Sequence, residues 1–251
     1  PTSGVDVNGR VDIRSIITGL AARGCCVVLA THELDEAERL ADHPRRPWLL
    51  VDAAQSMGSI PAEEAAAAAD IYAFTGHKWC CGPEGLGGVA LSERLLEQSQ
   101  PTLIGWRSLR HEGFAGSPWH RDARRFEVAT SCVPLCSGLA SSLELLAAEG
   151  TPAQRLERIR DGSQRLWHGL KQLPGVQTLL PEPPPAGLAS FTLPASATGG
   201  HAGVVKALGA QGFWIRNLED PDCLRACTHI TTTTAEIDRL LEALSVLPTA
   251  V

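Results

Sequence analysis

The fold of this chain is decided by two short stretches, Trp48–Asp52 (WLLVD) and Ile71–Thr75 (IYAFT). Each is a brief apolar run that ends at a polar residue, a pattern typical of a strand buried in a sheet. The alanine-rich segment between them, Ala62–Ala69, favours a helix. A strand, a helix and a second strand in this order predict a parallel strand pair inside an α/β layered fold.

Working outward from these stretches, apolar spacing predicts further elements and a boundary near residue 148. Residues 101–130 are irregular, and so long a connection in a compact domain is more often functional than idle. Residues 181–185 are rich in proline and predict a stiff linker. The predicted helices are 11–23, 34–41, 135–149, 153–173, about 204–210 and from 235 onward, and the further predicted strands are 25–30, 89–91, 189–193, 213–216 and 224–230.

Composition narrows the classes of function. The chain has 251 residues, 44% of them hydrophobic, which predicts a packed core. The net charge of -6 argues against a general nucleic-acid partner. Membrane insertion is not expected, because no apolar run approaches the ~20 residues that span a bilayer. Since no signal peptide is recognisable either, we expect a cytoplasmic protein.

The eight cysteines lie in apolar or mixed stretches, which favours free thiols in a reducing compartment. Two C-x3-C pairs could in principle bind zinc, but no clear histidine pair accompanies them. We therefore predict no metal site.

Polar residues follow both predicted strands of the opening stretches. Asp52 and Gln55 follow the first, and Thr75-Gly76-His77-Lys78 follows the second, before a glycine-rich run at 82–88 (GPEGLGG). A carboxylate at a strand end is a usual ligand position in α/β sheets. Taken alone, each motif has a plainer interpretation, because an aspartate there is often a helix cap and a lysine a solvated side chain.

Taken together, the two motifs and their spacing resemble those of class V, fold-type I enzymes that use pyridoxal 5'-phosphate. The resemblance covers residues 44–251. It implies a truncated aspartate-aminotransferase-like large domain with a mainly parallel sheet in residues 44–147. It also implies a smaller C-terminal α/β domain in residues 148–251.

The resemblance assigns roles around the cofactor. Lys78 matches the catalytic lysine whose amine bonds to the cofactor aldehyde and then carries the proton at the substrate Cα, a role that burial would favour. Asp52 matches the carboxylate that keeps the pyridine nitrogen protonated. Gln55 would donate to the ring hydroxyl oxygen, and Thr75 and His77 match positions that contact the phosphate and flank the ring.

Three more residues are implied further along the chain. Thr130, in the run Phe126–Thr130, matches a residue that reaches the cofactor phosphate of the neighbouring subunit, which implies a homodimer. Arg225 matches the arginine that binds the substrate α-carboxylate, a task suited to bidentate guanidinium geometry. Arg216, nine positions earlier, is a candidate for a second polar or anionic group. For both arginines a plain salt bridge is the alternative.

The resemblance also bears on the reaction. Cysteine desulfurases use a cysteine on a small-domain loop, yet no cysteine occurs between Cys136 and Cys223. Residues 72–79, 105–108, 125–131 and 221–227 look closest to the cystine/cysteine C–S lyase branch. We therefore predict β-elimination from a small cystine- or cysteine-like amino acid. A class V aminotransferase would use the same residues, and a non-catalytic truncated or chimeric chain is a further alternative.

Residues 1–43 carry a different resemblance. Pro1–Asp6 and Val27–Glu38 resemble the D-loop and the switch-histidine region of ABC-transporter ATPases, although the phosphate-binding G-x-x-x-x-G-K-[ST] loop is missing from the sequence. The chain opens on Pro1, and its only methionine is Met57. We therefore expect a fused or truncated chain whose cofactor site lacks its N-terminal part.

Overall fold

A computed structural model of the chain describes residues 48–111, 116–194 and 199–246. It divides the chain into two units, residues 1–146 and 147–251. The predicted elements of residues 1–43 lie outside the described residues. The three-segment division with boundaries at 43 and 147 stays a prediction.

A three-stranded sheet organises the first unit, in the order β1-β2-β3. Strand β1 (Leu50–Asp52) pairs in parallel with β2 (Ile71–Thr75), and helix α1 (Glu63–Ala68) makes the crossover between them. Strand β3 (Gly87–Leu91) returns antiparallel to β2, with Thr75 opposite Gly87. A small core beside this sheet is formed by Leu49, Ala53, Ala65, Ala69 and Tyr72.

The buried side chain of Asp70 ties this sheet to the next helix. Its Oδ2 accepts a hydrogen bond from the Leu49 amide at 3.1 Å, and its Oδ1 accepts one from the Ser92 hydroxyl at 2.7 Å. The Ser92 hydroxyl in turn caps helix α2 (Glu93–Gln98) by accepting from the Leu95 amide. Helix α2 was not predicted, because six residues are too few to show helical periodicity.

The second half of the first unit is irregular up to helix α3 (Val133–Ala148), as the sequence predicted. Residues 106–108 and 123–126 form two short 3-10 turns. An isolated antiparallel bridge joins Leu109 to Trp119. The described residues of this segment are therefore held by side-chain and backbone contacts and not by a sheet.

The second unit packs helices on one face of an antiparallel sheet ordered β4-β5-β7-β6. Its core contains Leu170, Phe191, Leu208 and Leu224, none of which is measurably exposed. The strands are β4 (Gln177–Thr178), β5 (Leu188–Thr192), β6 (Arg216–Glu219) and β7 (Asp222–Cys227), and the helices are α4 (Pro152–Gln172), α5 (Gly200–Gly209) and α6 (Thr234–Ser245).

Two of these helices begin at capping boxes that the sequence encodes locally. The Thr151 hydroxyl accepts from the Gln154 amide while the Gln154 side chain accepts from the Thr151 amide. Thr233 and Glu236 repeat the arrangement at the start of α6. Such reciprocal caps satisfy orphan amides at the helix start and set where it begins.

Two strand predictions in this unit were wrong in their bounds. The strand predicted at 213–216 occupies Arg216–Glu219, and the one predicted at 224–230 occupies Asp222–Cys227. The two strands form a tight hairpin with Glu219 opposite Asp222, which shifts both of them toward the turn.

Within the described ranges, no helix is long and apolar enough to cross a membrane.

Candidate active site

The carboxyl ends of β1 and β2 bring the two predicted motifs together. Asp52, the last residue of β1, pairs in register with Ala73 of β2, and the Ala53 amide donates to the Ala73 carbonyl at 2.7 Å. Because parallel strands end at the same edge of a sheet, Asp52 and the turn after Thr75 lie at one edge. This edge is the usual ligand position in α/β sheets.

Lys78 sits in a turn that its own backbone closes. The Gly82 amide donates to the Gly76 carbonyl at 2.8 Å, and the Cys81 amide donates to the Lys78 carbonyl at 3.0 Å. Cys81 completes the turn with a φ of 55°, a left-handed conformation that is uncommon for a side-chain-bearing residue. The backbone of Lys78 is therefore fixed by the turn geometry.

The residues after Lys78 lock this turn to the segment after Asp52. The Trp79 indole, 3% exposed, donates to Gln55 Oε1 at 3.0 Å. Gly58, with a φ of 89°, packs so closely that a Cβ there would lie 2.7 Å from the Trp79 carbonyl carbon. Sequence reasoning missed Trp79 and Gly58, because this contact joins residues that are distant along the chain.

The predicted polar groups face solvent in the described residues. Asp52, Gln55, His77 and Lys78 are all exposed. Asp52 Oδ1 accepts from the Ala54 amide at 3.0 Å, which orients the carboxylate. Burial of Lys78, which the sequence analysis expected to help its deprotonation, is not found within the described part of the chain, because Trp79 takes the inward position of the turn.

Thr75 provides the test of whether these residues fit pyridoxal phosphate. Its Oγ1 is buried and, among the described residues, has no hydrogen-bond partner. A buried hydroxyl without a partner costs about 1–3 kcal/mol, so such groups are usually satisfied by a ligand or by water. A free hydroxyl donor, an amine and an oriented carboxylate at one sheet edge match the phosphate, aldehyde and ring nitrogen of the cofactor.

Thr130 lies at the end of the irregular segment, exposed and shortly before α3. The segment is held by a close approach, since a Cβ on Gly105 would lie 1.7 Å from the Val128 carbonyl oxygen. The Ser108 hydroxyl donates to the Glu127 carbonyl at 2.7 Å and accepts from the Gly105 amide at 3.1 Å. Only glycine at 105 permits this packing.

In the second unit, the antiparallel register places the two predicted arginines side by side. Arg225 of β7 is directly opposite Arg216 of β6 and opposite Ser190 of β5. Side chains directly opposite in neighbouring strands share a face of the sheet, with Cβ atoms about 4.5–5.5 Å apart. Leu224 and Ala226 point to the other face and are buried in the core.

The arginine pair has no acidic counterpart within the described ranges, where neither guanidinium forms a salt bridge. Arg225 is half-buried and Arg216 is exposed. Like charges directly opposite across strands destabilise a sheet. An anionic ligand on this face would remove that repulsion.

Two cysteines share the arginine face of β7. Cys223 is 0% exposed, and burial together with the charge of Asp222 raises the pKa of its thiol, although Arg225 and Ser190 oppose the shift. Desolvation raises the pKa of the Cys227 thiol as well. Both thiols therefore stay protonated near neutral pH, which makes them poor nucleophiles.

Among the cysteines in the described ranges, Cys132, Cys136, Cys223 and Cys227 are free thiols. Across those same residues, no group of three or more His, Cys, Asp or Glu side chains is placed to hold a metal ion.

The chain belongs to the class V aminotransferase family, whose model matches residues 5–240. The prediction of a class V pyridoxal-phosphate family is thereby confirmed. The match begins at residue 5 and therefore includes most of residues 1–43. The family thus extends further toward the N terminus than the sequence analysis placed it. The comparisons do not show the predicted resemblance to ABC-transporter ATPases.

Curated relatives include the isopenicillin N epimerase of Streptomyces clavuligerus, 32% identical over 88% of this chain and 58% of the relative. A probable cysteine desulfurase of Pseudomonas aeruginosa is 32% identical over 80% of this chain and 51% of the relative. The chain thus spans between half and three fifths of the length of these proteins.

Among solved structures, the cystine C–S lyase C-DES in complex with its product cysteine persulfide is 43% identical, with a TM-score of 0.75, over 80% of this chain and 53% of that one. A C-DES mutant with glycine covalently linked to its pyridoxal-phosphate cofactor is 41% identical, with a TM-score of 0.76, over 81% of this chain and 52% of that one. These similarities confirm the predicted α/β fold class.

Thiol reactivity tests whether either cysteine beside Arg225 is a nucleophile. With iodoacetamide at neutral pH, we expect Cys132 and Cys136 to be alkylated before Cys223, which is buried, and before Cys227, which is exposed but whose raised pKa leaves little thiolate. Alkylation of Cys223 and Cys227 should accelerate as the pH rises toward their pKa values. Peptide mass spectrometry measures each site, and preferential labelling of Cys227 at neutral pH would contradict the assignment.

Proposed function

We propose that this chain contributes the lysine and carboxylate of a pyridoxal-phosphate-dependent C–S lyase that acts on cystine- or cysteine-like amino acids. The observation that carries the proposal is the parallel β1–β2 pair, which places Asp52, Thr75 and Lys78 at one sheet edge. The substrate class is supported by the 43% identity to the cystine C–S lyase C-DES.

The chain's own residues divide the work of the reaction. Pyridoxal phosphate, when bound, supplies an electron sink for negative charge at the substrate Cα. The Lys78 amine takes the proton from that Cα, and the Asp52 carboxylate holds a proton at the pyridine nitrogen. Gln55 and His77 would flank the ring, and Thr75 would donate its hydroxyl to the phosphate.

Arg225 binds the α-carboxylate of the substrate in this proposal. Its guanidinium is half-buried and forms no salt bridge within the described ranges, so a carboxylate could make two parallel hydrogen bonds with it. Arg216, directly opposite, then meets a second anionic group. Cystine carries two carboxylates, so an arginine pair suits it better than a substrate that carries one.

The state of the cysteines argues for elimination over sulfur transfer to the protein. A desulfurase requires a cysteine thiolate that attacks sulfur, and the raised pKa values of Cys223 and Cys227 disfavour one. An aminotransferase or an epimerase would use the same first proton transfer by Lys78. The products therefore distinguish these reactions.

A non-catalytic chain is the remaining alternative, because the chain spans about half of its solved relatives. Cofactor binding by the purified chain decides between a competent and a non-catalytic protein.

Substituting the proposed catalytic lysine gives the first test. We expect the purified chain with pyridoxal phosphate to develop a near-visible absorption band that Lys78→Ala removes, because only Lys78 bonds to the aldehyde. Lys206→Ala, an exposed lysine on α5, is the control and should keep the band. If no band forms, or if it survives Lys78→Ala, the proposal fails. Pyruvate and persulfide release from cystine, against amino transfer or inversion at Cα, then identifies the reaction.

Substituting the arginine pair tests the substrate class. Arg216→Gln should raise KM for cystine about tenfold, the effect of losing a charged hydrogen bond, while it changes KM for cysteine little. Arg225→Gln should raise KM for both substrates, because both carry an α-carboxylate. Steady-state kinetics with the two substrates measures the difference. Equal effects of Arg216→Gln on both would contradict a role at the second carboxylate.

We also propose that the first unit forms a homodimer through the surface around Thr130. Large apolar side chains are exposed in this segment and at the start of α3, with Leu103 at 72% and Val133 at 67% exposed. Clustered exposed apolar residues mark interaction surfaces. A second copy placed here would receive Thr130 at its cofactor phosphate, as the family resemblance implies.

Light scattering after size-exclusion chromatography tests the dimer. The unaltered chain should elute with the mass of two copies, and Val133→Asp should shift it toward one copy, because a buried charge at the interface is costly. Leu145→Asp, equally exposed but near the other end of α3, serves as the matched control. A monomeric unaltered chain would contradict the proposal.

A further inference from the structure

Arg125 is a buried guanidinium bound by backbone carbonyls from four different residues. It is 7% exposed, and it lies in the 3-10 turn at residues 123–126. Its Nε donates to His120 O at 3.1 Å, and its Nη2 donates to Arg121 O at 2.6 Å. Its Nη1 donates to Leu96 O at 2.6 Å and to Ser99 O at 3.3 Å. The guanidinium thus joins the irregular segment to α2.

The charge of Arg125 is balanced without a carboxylate. Among the described residues it forms no salt bridge, whereas its neighbour Arg124 is paired with Asp122 at 2.7 Å on the surface. Leu96 and Ser99 lie at the carboxyl end of α2, where helix carbonyls carry partial negative charge. A buried cation is costly unless such dipoles surround it, so these carbonyls stabilise Arg125 in this position.

The backbone immediately after Arg125 is held by contacts with residues 105–108. Ser108 donates to the carbonyl of Glu127, and Gly105 packs against the carbonyl of Val128. The Arg107 guanidinium lies 3.2 Å from the Glu127 carboxylate and adds an exposed salt bridge. Residues 125–128 are therefore held between α2 and the segment at 105–108, and we call these four residues the clamp.

Thr130 lies on the short link that leaves this clamp. It is two residues beyond Val128, and α3 begins at Val133. Its own side chain is exposed, and no hydrogen bond to it is formed within the described ranges. The position of its hydroxyl is therefore set by the clamp on one side and by α3 on the other.

We propose that Arg125 is a positioning residue for cofactor binding, because it fixes the clamp that presents the Thr130 hydroxyl to a cofactor phosphate. This inference rests on the proposed function. Arg125 does not touch the cofactor in this role. It acts through Thr130, and its effect should appear only with a ligand that carries the phosphate.

The test compares two ligands that differ only in the phosphate. The full chain is titrated with pyridoxal phosphate and with pyridoxal, which lacks it, and binding is followed by absorbance. Arg125→Gln should weaken pyridoxal phosphate about tenfold, the effect of one lost hydrogen bond to a charged group, and leave pyridoxal unchanged. Arg124→Gln, the same substitution at the adjacent exposed arginine, should change neither. Arg125→Lys should fall between, since an ammonium reaches fewer of the carbonyls.

A double variant shows whether Arg125 acts through Thr130. In a Thr130→Ala background, Arg125→Gln should weaken pyridoxal phosphate no further. Additive losses would overturn the proposal, as would equal weakening of both ligands or no weakening of either. If Arg125→Gln does not fold, Ser108→Ala loosens the same clamp without removing a buried charge, and it must reproduce the phosphate-specific loss. If the unaltered chain binds neither ligand, the proposed function fails, and this role fails with it.

Discussion

The parallel pairing of β1 with β2 is the constraint on which the site depends. A parallel pair cannot be closed by a tight turn, so the chain must cross over, here through α1. That crossover returns both strands to the same edge, where Asp52 ends one strand and the Lys78 turn follows the other. An antiparallel arrangement would have placed the carboxylate and the amine at opposite ends of the sheet.

Much of the fold could be predicted from local sequence signals. The strand predicted at 71–74, the two long helices that start at Val133 and Pro152, and the last helix are confirmed within two residues of their predicted bounds. Apolar periodicity and threonine caps carry that information in the residues themselves. The hairpin of β6 and β7 was placed wrongly, because its register is set by pairing across the turn and not by apolar runs.

The residues assigned to the candidate site come from motifs in the sequence, whereas the contacts that hold those residues in place could not be predicted from it. Asp52 and Lys78 stand in recognisable motifs, so family resemblance could find them. Trp79, Gly58 and Arg125 act through contacts between residues far apart in sequence, and their local context resembles that of many buried or basic residues. The aromatic residue directly after Lys78 is the one signal that could have suggested an anchored turn.

Alternate residues of strand β7 face the core and the opposite side of the sheet. Leu224 and Ala226 fill the core, while Arg225 between them stands on the opposite face. Because side chains alternate along a strand, losing or gaining one residue in the β6–β7 turn would exchange these faces. The guanidinium would then enter the apolar core and the leucine would take its place on the surface. The length of this turn is therefore constrained by folding itself, whatever ligand the sheet face binds.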